Sequence, residues 1–188
     1  MILTLRARIV GIVLLLFVAN ASFAQWSDGP FLSIGMQGGI PINKAYKPYS
    51  WAAGGFGKFS IPLGYQDYFT FSLNAISLNG KGKTDKEEEG KLKERDVLSG
   101  FVGYRYDFRT EDSYSYFYME PQLGWSFVGT DYNSFCVYPT VGYSLNSKID
   151  FAAYYMATTS TMRQAKIGVA GLMVTYNFHF SRNSSLTY

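Results

Sequence analysis

A two-residue alternation of apolar and polar side chains constrains the fold of this chain more than any other feature of its sequence. In its last occurrence, GLMVTYNFHF, the alternating side chains are apolar Val174, Tyr176, Phe178 and Phe180 and polar Thr175, Asn177 and His179. Successive side chains of a β-strand point to opposite faces of its sheet, so the pattern predicts strands with one apolar face and one polar face. The apolar face meets either a protein core, as in a soluble protein, or lipid, as in a membrane barrel with a polar lumen.

Turn-forming segments divide the alternation into eight runs, which predict eight strands. The runs cover residues 32–40, 49–61, 69–75, 98–108, 117–127, 135–145, 149–158 and about 165–180, and the seventh has the least regular pattern. Most runs exceed the roughly five or six residues of a typical soluble strand and reach the ~9–11 residues that a tilted strand needs to cross a bilayer. Bacterial single-chain membrane barrels have an even number of strands, beginning at eight.

The connections between these runs indicate how a barrel would be oriented. Those after the second, fourth and sixth strands are short, at 62–66, 109–113 and 146–148. Those after the odd-numbered strands lie at 41–48, 79–95, 129–133 and 159–164, and they include the two longest. Outer-membrane barrels combine short periplasmic turns with longer external loops. The parity therefore predicts that both termini are periplasmic. Residues 81–96 hold six acidic and six basic side chains, which predicts a solvated, charge-balanced loop.

The first 24 residues have the features of a secretory signal peptide. Arg6 and Arg8 precede an apolar run over residues 9–18, and Ser22 and Ala24 occupy the −3 and −1 positions of a cleavage site before Gln25. The apolar run is shorter than the roughly 20 residues of a spanning helix, so it does not predict an anchor. We therefore expect a signal peptide at 1–24 and a single barrel domain at 25–188.

Composition excludes several other classes of protein. Aromatic residues make up 18 % of the chain, with 16 Tyr and 15 Phe beside 19 Gly, which is typical of strands that cross a membrane between aromatic girdles. The formal charge of +3 falls to +1 once the leader's two arginines are removed, so no nucleic-acid partner is predicted. Cys136 is the only cysteine, so we expect it to be a small side chain in a strand and predict no internal disulfide.

Together, the leader, the eight alternating strands and the aromatic-rich last strand resemble small outer-membrane β-barrels of Gram-negative bacteria. The FLSIGMQGGI opening, the glycine-rich strands and the start at Gln25 are most similar to the "outer membrane protein beta-barrel domain" family of Bacteroidota. This resemblance covers nearly the whole mature chain. It implies an all-β, eight-stranded antiparallel up-and-down transmembrane barrel. Such a barrel contacts outer-membrane lipid, is inserted by the barrel-assembly machinery and is a monomer.

In one respect the chain departs from such barrels, which often end on an aromatic residue that completes an insertion signal. Here SRNSSL separates Phe180 from the terminal Tyr188. Gly171, Val174 and Tyr176 keep the spacing of a glycine followed by two hydrophobic residues, so they offer an internal signal.

Five polar residues are expected on the inner face of the barrel. They are Lys58, Arg105, Asp107, Glu120 and Gln122. Eight strands leave an interior only just wide enough for side chains, and buried charges need partners. We therefore predict a paired, hydrogen-bonded plug in preference to an open channel.

Enzymatic chemistry has one candidate in this sequence. His179 and Ser181 are two positions apart, so they lie on one face of a strand, and the pair resembles the His-x-Ser arrangement of outer-membrane lipid A deacylases. No carboxylate follows Ser181, and the predicted topology puts the pair at the periplasmic rim. We expect a non-enzymatic barrel with a structural or surface-interaction role, without catalytic, cofactor or metal residues. The alternatives are a lipid hydrolase that uses His179 and Ser181, and a secreted soluble lipocalin-type barrel.

Overall fold

A computed structural model describes residues 29–42, 49–80, 95–110, 114–128, 132–159 and 168–180 of the chain. The predicted signal peptide, its cleavage site before Gln25 and Ser181 lie outside these residues. The strands are β1 (Phe31–Pro41), β2 (Tyr49–Pro62), β3 (Asp67–Gly80), β4 (Arg95–Phe108), β5 (Tyr116–Glu120), β6 (Gln122–Val128), β7 (Tyr132–Val137), β8 (Thr140–Leu145), β9 (Ile149–Thr159) and β10 (Gly168–His179). Within the described ranges, no helix is long and apolar enough to span a membrane.

These ten segments form the eight predicted wall strands. β5 and β6 are halves of the fifth wall strand, which is interrupted at Pro121, and β7 and β8 are halves of the sixth, which is interrupted at Pro139. Proline has no N–H to donate to a neighbouring strand, so each ladder loses one bond there. The proline carbonyls still accept: the Tyr104 N–H donates to the Pro121 oxygen at 3.2 Å, and the Tyr155 N–H donates to the Pro139 oxygen at 3.1 Å.

The sheet closes on itself because the last strand pairs with the first. β10 runs antiparallel to β1 in a continuous register from Phe31 opposite His179 to Pro41 opposite Val169. Every other pairing is also antiparallel and joins two of the eight wall strands that are consecutive along the chain. Closure satisfies the backbone groups that an edge strand leaves unpaired. The fold is thus a closed, eight-stranded antiparallel β-barrel, and the fold class predicted from the alternation is confirmed.

Short connections lie at one end of the barrel, which we call the turn end and define by residues 63–66 and 146–148. In the second of these, Asn146 and Ser147 have φ values of 52° and 57°. Two consecutive positive φ angles are typical of a two-residue hairpin turn, because the twist of such a turn matches the twist of the two strands that it joins. The Lys148 N–H closes this turn by donating to the Leu145 oxygen at 3.0 Å.

The opposite end, called the loop end, carries the connections 43–48, 81–94, 129–131 and 160–167, which lie outside the described residues. Some residues that the sequence placed in connections belong to strands instead. Gly80 and Arg95, for example, end β3 and begin β4.

The outer wall is apolar on every strand. Ten of its exposed large side chains, one from each strand in order, are Met36, Phe59, Leu73, Val102, Phe117, Trp125, Phe135, Val141, Phe151 and Val174. Their neighbours in sequence point inward and are buried or partly buried, so burial alternates with the two-residue period, most regularly in β5 and β9. The faces predicted for the last strand are those observed: Val174 and Tyr176 lie outside, and Thr175 and Asn177 inside.

Candidate functional site

Charged side chains occupy the half of the interior nearest the turn end. Strand parity places them there, because Arg105 and Asp107 are two residues apart on β4 and so share its inner face. Arg105 Nε lies 2.6 Å from Asp107 Oδ1, and Arg105 Nη1 lies 2.7 Å from Asp150 Oδ2 on β9. Lys58 Nζ on β2 lies 2.6 Å from Glu120 Oε2 on β5. We call these five residues, together with Arg109, the charged layer.

Formal charge is balanced within the charged layer. Its three cations are Lys58, Arg105 and Arg109, and its three anions are Asp107, Glu120 and Asp150. All except Arg109 are at most 3 % exposed, so these charged groups contact one another instead of water. A buried charge is costly unless it is paired and hydrogen-bonded, which explains why the layer is neutral.

Arg105 is the centre of this layer. Its side chain is fully buried, and its guanidinium carbon lies 3.7 Å from the centre of the Tyr118 ring and 5.5 Å from that of Phe31. A guanidinium over an aromatic face is attracted by the ring's negative charge distribution. Two carboxylates and two rings therefore hold one cation in place.

Arg109 extends the layer to the barrel's turn end. Its Nη2 donates to Asp107 Oδ2 at 3.0 Å and to the hydroxyls of Tyr68 and Tyr116, each at 2.8 Å. Asp107 thus bridges Arg105 and Arg109. Side chains from three neighbouring strands, β3, β4 and β5, therefore meet at the turn end.

Neutral hydrogen bonds connect the charged layer to the wall. Asn177 Nδ2 donates to Asp150 Oδ1 at 2.9 Å, and the Ser33 hydroxyl donates to Asn177 Oδ1 at 2.6 Å. Gln122 is outside the ion pairs, and its Oε1 accepts a hydrogen bond from the Ser72 hydroxyl. All five polar residues predicted for the inner face are therefore in the interior, and four of them belong to the charged layer.

Asp150 and Arg109 were missed in the sequence. Asp150 is the second residue of the seventh run, whose inner face continues with Ala152, Tyr154 and Met156, so apolar side chains on both faces conceal its alternation. Arg109 follows the last residue of β4, where the pattern predicts a turn. The alternation of β9 after Asp150 is the one sequence signal that could have identified this inward carboxylate.

A second layer, which the sequence did not predict, fills the interior nearest the loop end. It is apolar, and five of its members, each at most 2 % exposed, are Ile76, Leu78, Val97, Met156 and Val169. We call these five residues the apolar layer. The two-residue pattern fails here, because Ile76 and Leu78 continue β3 with apolar side chains on its inner face. An ion that crossed this level would have to exchange water for apolar surroundings, which is energetically costly.

Tyr138 spans the lumen between the two layers. Its ring stacks on Phe101 and Tyr154, with centroids 4.9 Å and 5.2 Å away, and its hydroxyl donates to Gln37 Oε1 at 2.6 Å. Gln37 is on β1, across the barrel from the sixth wall strand that carries Tyr138. The tyrosine therefore forms a cross-brace between opposite walls.

His179 is exposed at the turn end. Its Nε2 lies 2.7 Å from the Ser147 carbonyl oxygen, and its ring centre is 5.0 Å from that of Phe31. A nucleophilic site needs a base beside the nucleophile and an acid that orients the base. The contacts of His179 in the described structure are to a carbonyl and a ring. Among the described residues, no group of three or more His, Cys, Asp or Glu side chains is arranged to hold a metal ion.

Comparisons with known proteins identify the fold. No family model matches the sequence, and no curated protein matches it. Among solved structures, the chain is similar to the Yersinia pestis outer membrane protein Ail in a phospholipid bilayer nanodisc, with a TM-score of 0.56, 15 % identity, and coverage of 80 % of this chain and 99 % of that one. Neisserial surface protein A also matches, with a TM-score of 0.47 and 14 % identity over 80 % of this chain and 97 % of that one.

At such identities the Ail match shows the fold alone. The fold is that of small outer-membrane barrels, so the resemblance predicted from the sequence is confirmed at this level. Membership of the Bacteroidota family stays a prediction.

Proposed function

We propose that this protein is a non-enzymatic, monomeric, integral outer-membrane β-barrel with a structural or surface-interaction role. In this proposal residues 1–24 are a signal peptide cleaved before Gln25, and both termini of the mature chain are periplasmic. The turn end then faces the periplasm, and the loops that include residues 41–48 and 79–95 face the exterior. The barrel-assembly machinery inserts the chain, and outer-membrane lipid surrounds it.

One observation carries the proposal: the closed barrel is apolar outside and charged inside. Leu73 is 68 % exposed on the outer wall, while Arg105 is fully buried within it. A soluble lipocalin-type barrel needs the opposite arrangement, since water would meet the outer wall. Exposed apolar side chains on all ten strands form a surface far larger than the patches that soluble monomers expose. An apolar outer wall of this kind is stable in the hydrocarbon core of a membrane.

The interior supports a closed barrel in preference to a pore. The charged layer is neutral and paired, and the apolar layer lies between it and the loop end. A permeating ion would have to break ion pairs at one level and cross dry packing at the next. A surface role for the loops therefore fits the interior better than transport does.

Fractionation of cells that express the full chain with its own leader tests the proposal. We expect the protein in the outer-membrane band of a density gradient, retained after a carbonate wash, with different gel mobility before and after boiling. A chain that begins at Gln25 is the control, and it should not reach that band. Recovery of the full-length product in soluble periplasm or medium would contradict the proposal and favour the lipocalin-type alternative.

A further inference from the structure

A recess of about 720 Å³ interrupts the outer wall, and its lining is almost wholly apolar. Side chains and backbone from β1, β2, β3, β4 and β6 border it, with Gly57 and Gly100 on its floor and the rings of Phe59, Phe71 and Trp125 around it.

Strand register explains the shape of this recess. One row across the wall places Gly57 opposite Leu73, Leu73 opposite Gly100, and Gly100 opposite Trp125. The adjacent row towards the turn end consists only of large side chains, Leu32, Phe59, Phe71, Val102 and Leu123. The glycines therefore lie beside a continuous ledge, and the recess is open to whatever surrounds the barrel.

Internal packing does not require glycine at either floor position. A Cβ added at Gly57 would meet no atom within 4 Å, and one added at Gly100 would make only an ordinary contact with Leu73 at 3.6 Å. Inward-facing Gly54 and Gly124 differ, because a Cβ there would collide with the neighbouring backbone. Glycine weakens a strand, and in a strand interior it often marks a place where a ligand approaches the backbone closely.

We propose that the recess binds a lipid acyl chain, an inference that rests on the membrane location proposed above. The lining offers contacts to hydrocarbon and almost none to a polar group. Gly57 and Gly100 are two strands apart, about 10 Å, and the Leu73 side chain projects outward between them. The space over each glycine suits one hydrocarbon chain, whereas a stable protein partner needs an interface of roughly 800 Å² on each side. The ledge and the Trp125 ring flank the acyl chain on its sides. The bare backbone at the two glycines lets the acyl chain lie close to the barrel wall.

Quenching of Trp125 fluorescence tests this site in the folded mature chain. The chain has three tryptophans, so Trp26→Phe and Trp51→Phe leave Trp125 as the single reporter. A phospholipid with brominated acyl chains is titrated into the barrel in detergent micelles. We expect quenching that saturates at a low mole fraction of lipid, and one retained phospholipid in the native mass spectrum.

Filling the recess should abolish both signals. The variant G57L/G100L should lose the saturable quenching and the retained lipid, while its boiling-dependent gel mobility shows that it folds. Gly57→Leu alone, which meets open space, is the second variant if the double variant does not fold. Gly38→Leu is the matched control, because Gly38 is also an outward glycine, where an added Cβ would make only an ordinary contact with the Ala52 oxygen at 3.8 Å, but it lies outside the recess.

Three results would overturn the acyl-chain site. They are quenching of the parent protein proportional to lipid mole fraction, equal loss in Gly38→Leu, or a mass of two protein copies in place of one protein with one lipid. Each leaves the outer-membrane proposal standing, provided that gel mobility still depends on boiling. If fractionation does not recover the full-length chain in the outer membrane, the proposed membrane location itself is contradicted.

Discussion

Lys58 Nζ and Glu120 Oε2 are 2.6 Å apart although β3 and β4 separate their strands in the wall. The ion pair is therefore a chord across the lumen, with both side chains buried. A chord of this kind fixes the distance between two walls, in addition to neutralising two charges. The charged layer is built from such chords, since Arg105 on β4 likewise reaches Asp150 on β9.

The first prediction concerns this chord. Lys58→Met leaves the Glu120 carboxylate buried without its cation, so the free energy of unfolding should fall by about 3–5 kcal/mol. The double variant K58M/E120Q removes both charges and should recover most of that loss. Urea unfolding in micelles, followed by tryptophan fluorescence, measures both changes. Lys148→Met, at the exposed 146–148 turn, is the control and should change stability little. Equal losses in the single and double variants would show that the pair is not coupled.

The second prediction concerns the depth of the outer wall. Leu73→Arg and Val174→Arg place a charge on exposed positions that lie in the middle of their strands, and each should cost about 2–4 kcal/mol of barrel stability. Phe178→Arg, near the turn end of β10, should cost only about 0–1 kcal/mol, because the interface solvates the charge. Refolding into lipid vesicles over a urea series gives the three values. Small, equal costs at all three positions would indicate that water, and not hydrocarbon, surrounds the wall.

Much of this architecture follows from residue parity. Val174 and Thr175 face opposite sides because side chains alternate along any strand, so the inward positions of Lys58 and Glu120 could be predicted as well. Their pairing could not be predicted, because it depends on the tilt and stagger of the closed barrel, which no local pattern encodes. Pro121 and Pro139 were also unanticipated as interruptions, since the alternation continues across both. The apolar layer was missed because the inner face of β3 changes from polar to apolar at Ile76 and Leu78, beyond the regular run that ends at Ala75.

The third prediction concerns the cross-brace. Tyr138→Phe keeps the ring stacked between Phe101 and Tyr154 but leaves the Gln37 amide oxygen unpaired, at a cost of about 1–3 kcal/mol. Tyr138→Ala removes the ring as well and should cost about 3–5 kcal/mol, because a cavity remains. Urea unfolding in micelles separates the two contributions. If the two variants are equally stable, the ring contributes no packing and the brace acts through its hydroxyl alone.

The last prediction concerns the connection between β3 and β4. Residues 81–94 join Gly80 to Arg95, which are the ends of two strands paired with each other, so the barrel wall is complete without them. Shortening a loop changes its closure entropy only slightly, by about 0.6 kcal/mol for each twofold change in length. Replacing residues 81–94 by a short Gly-Ser linker should therefore preserve outer-membrane assembly and boiling-dependent mobility.

Protease added to whole cells should cut the native loop and spare the shortened one. Loss of assembly would mean that the segment contributes to the wall. Cleavage of the native loop only after the outer membrane is opened would place the loop end in the periplasm and reverse the proposed orientation.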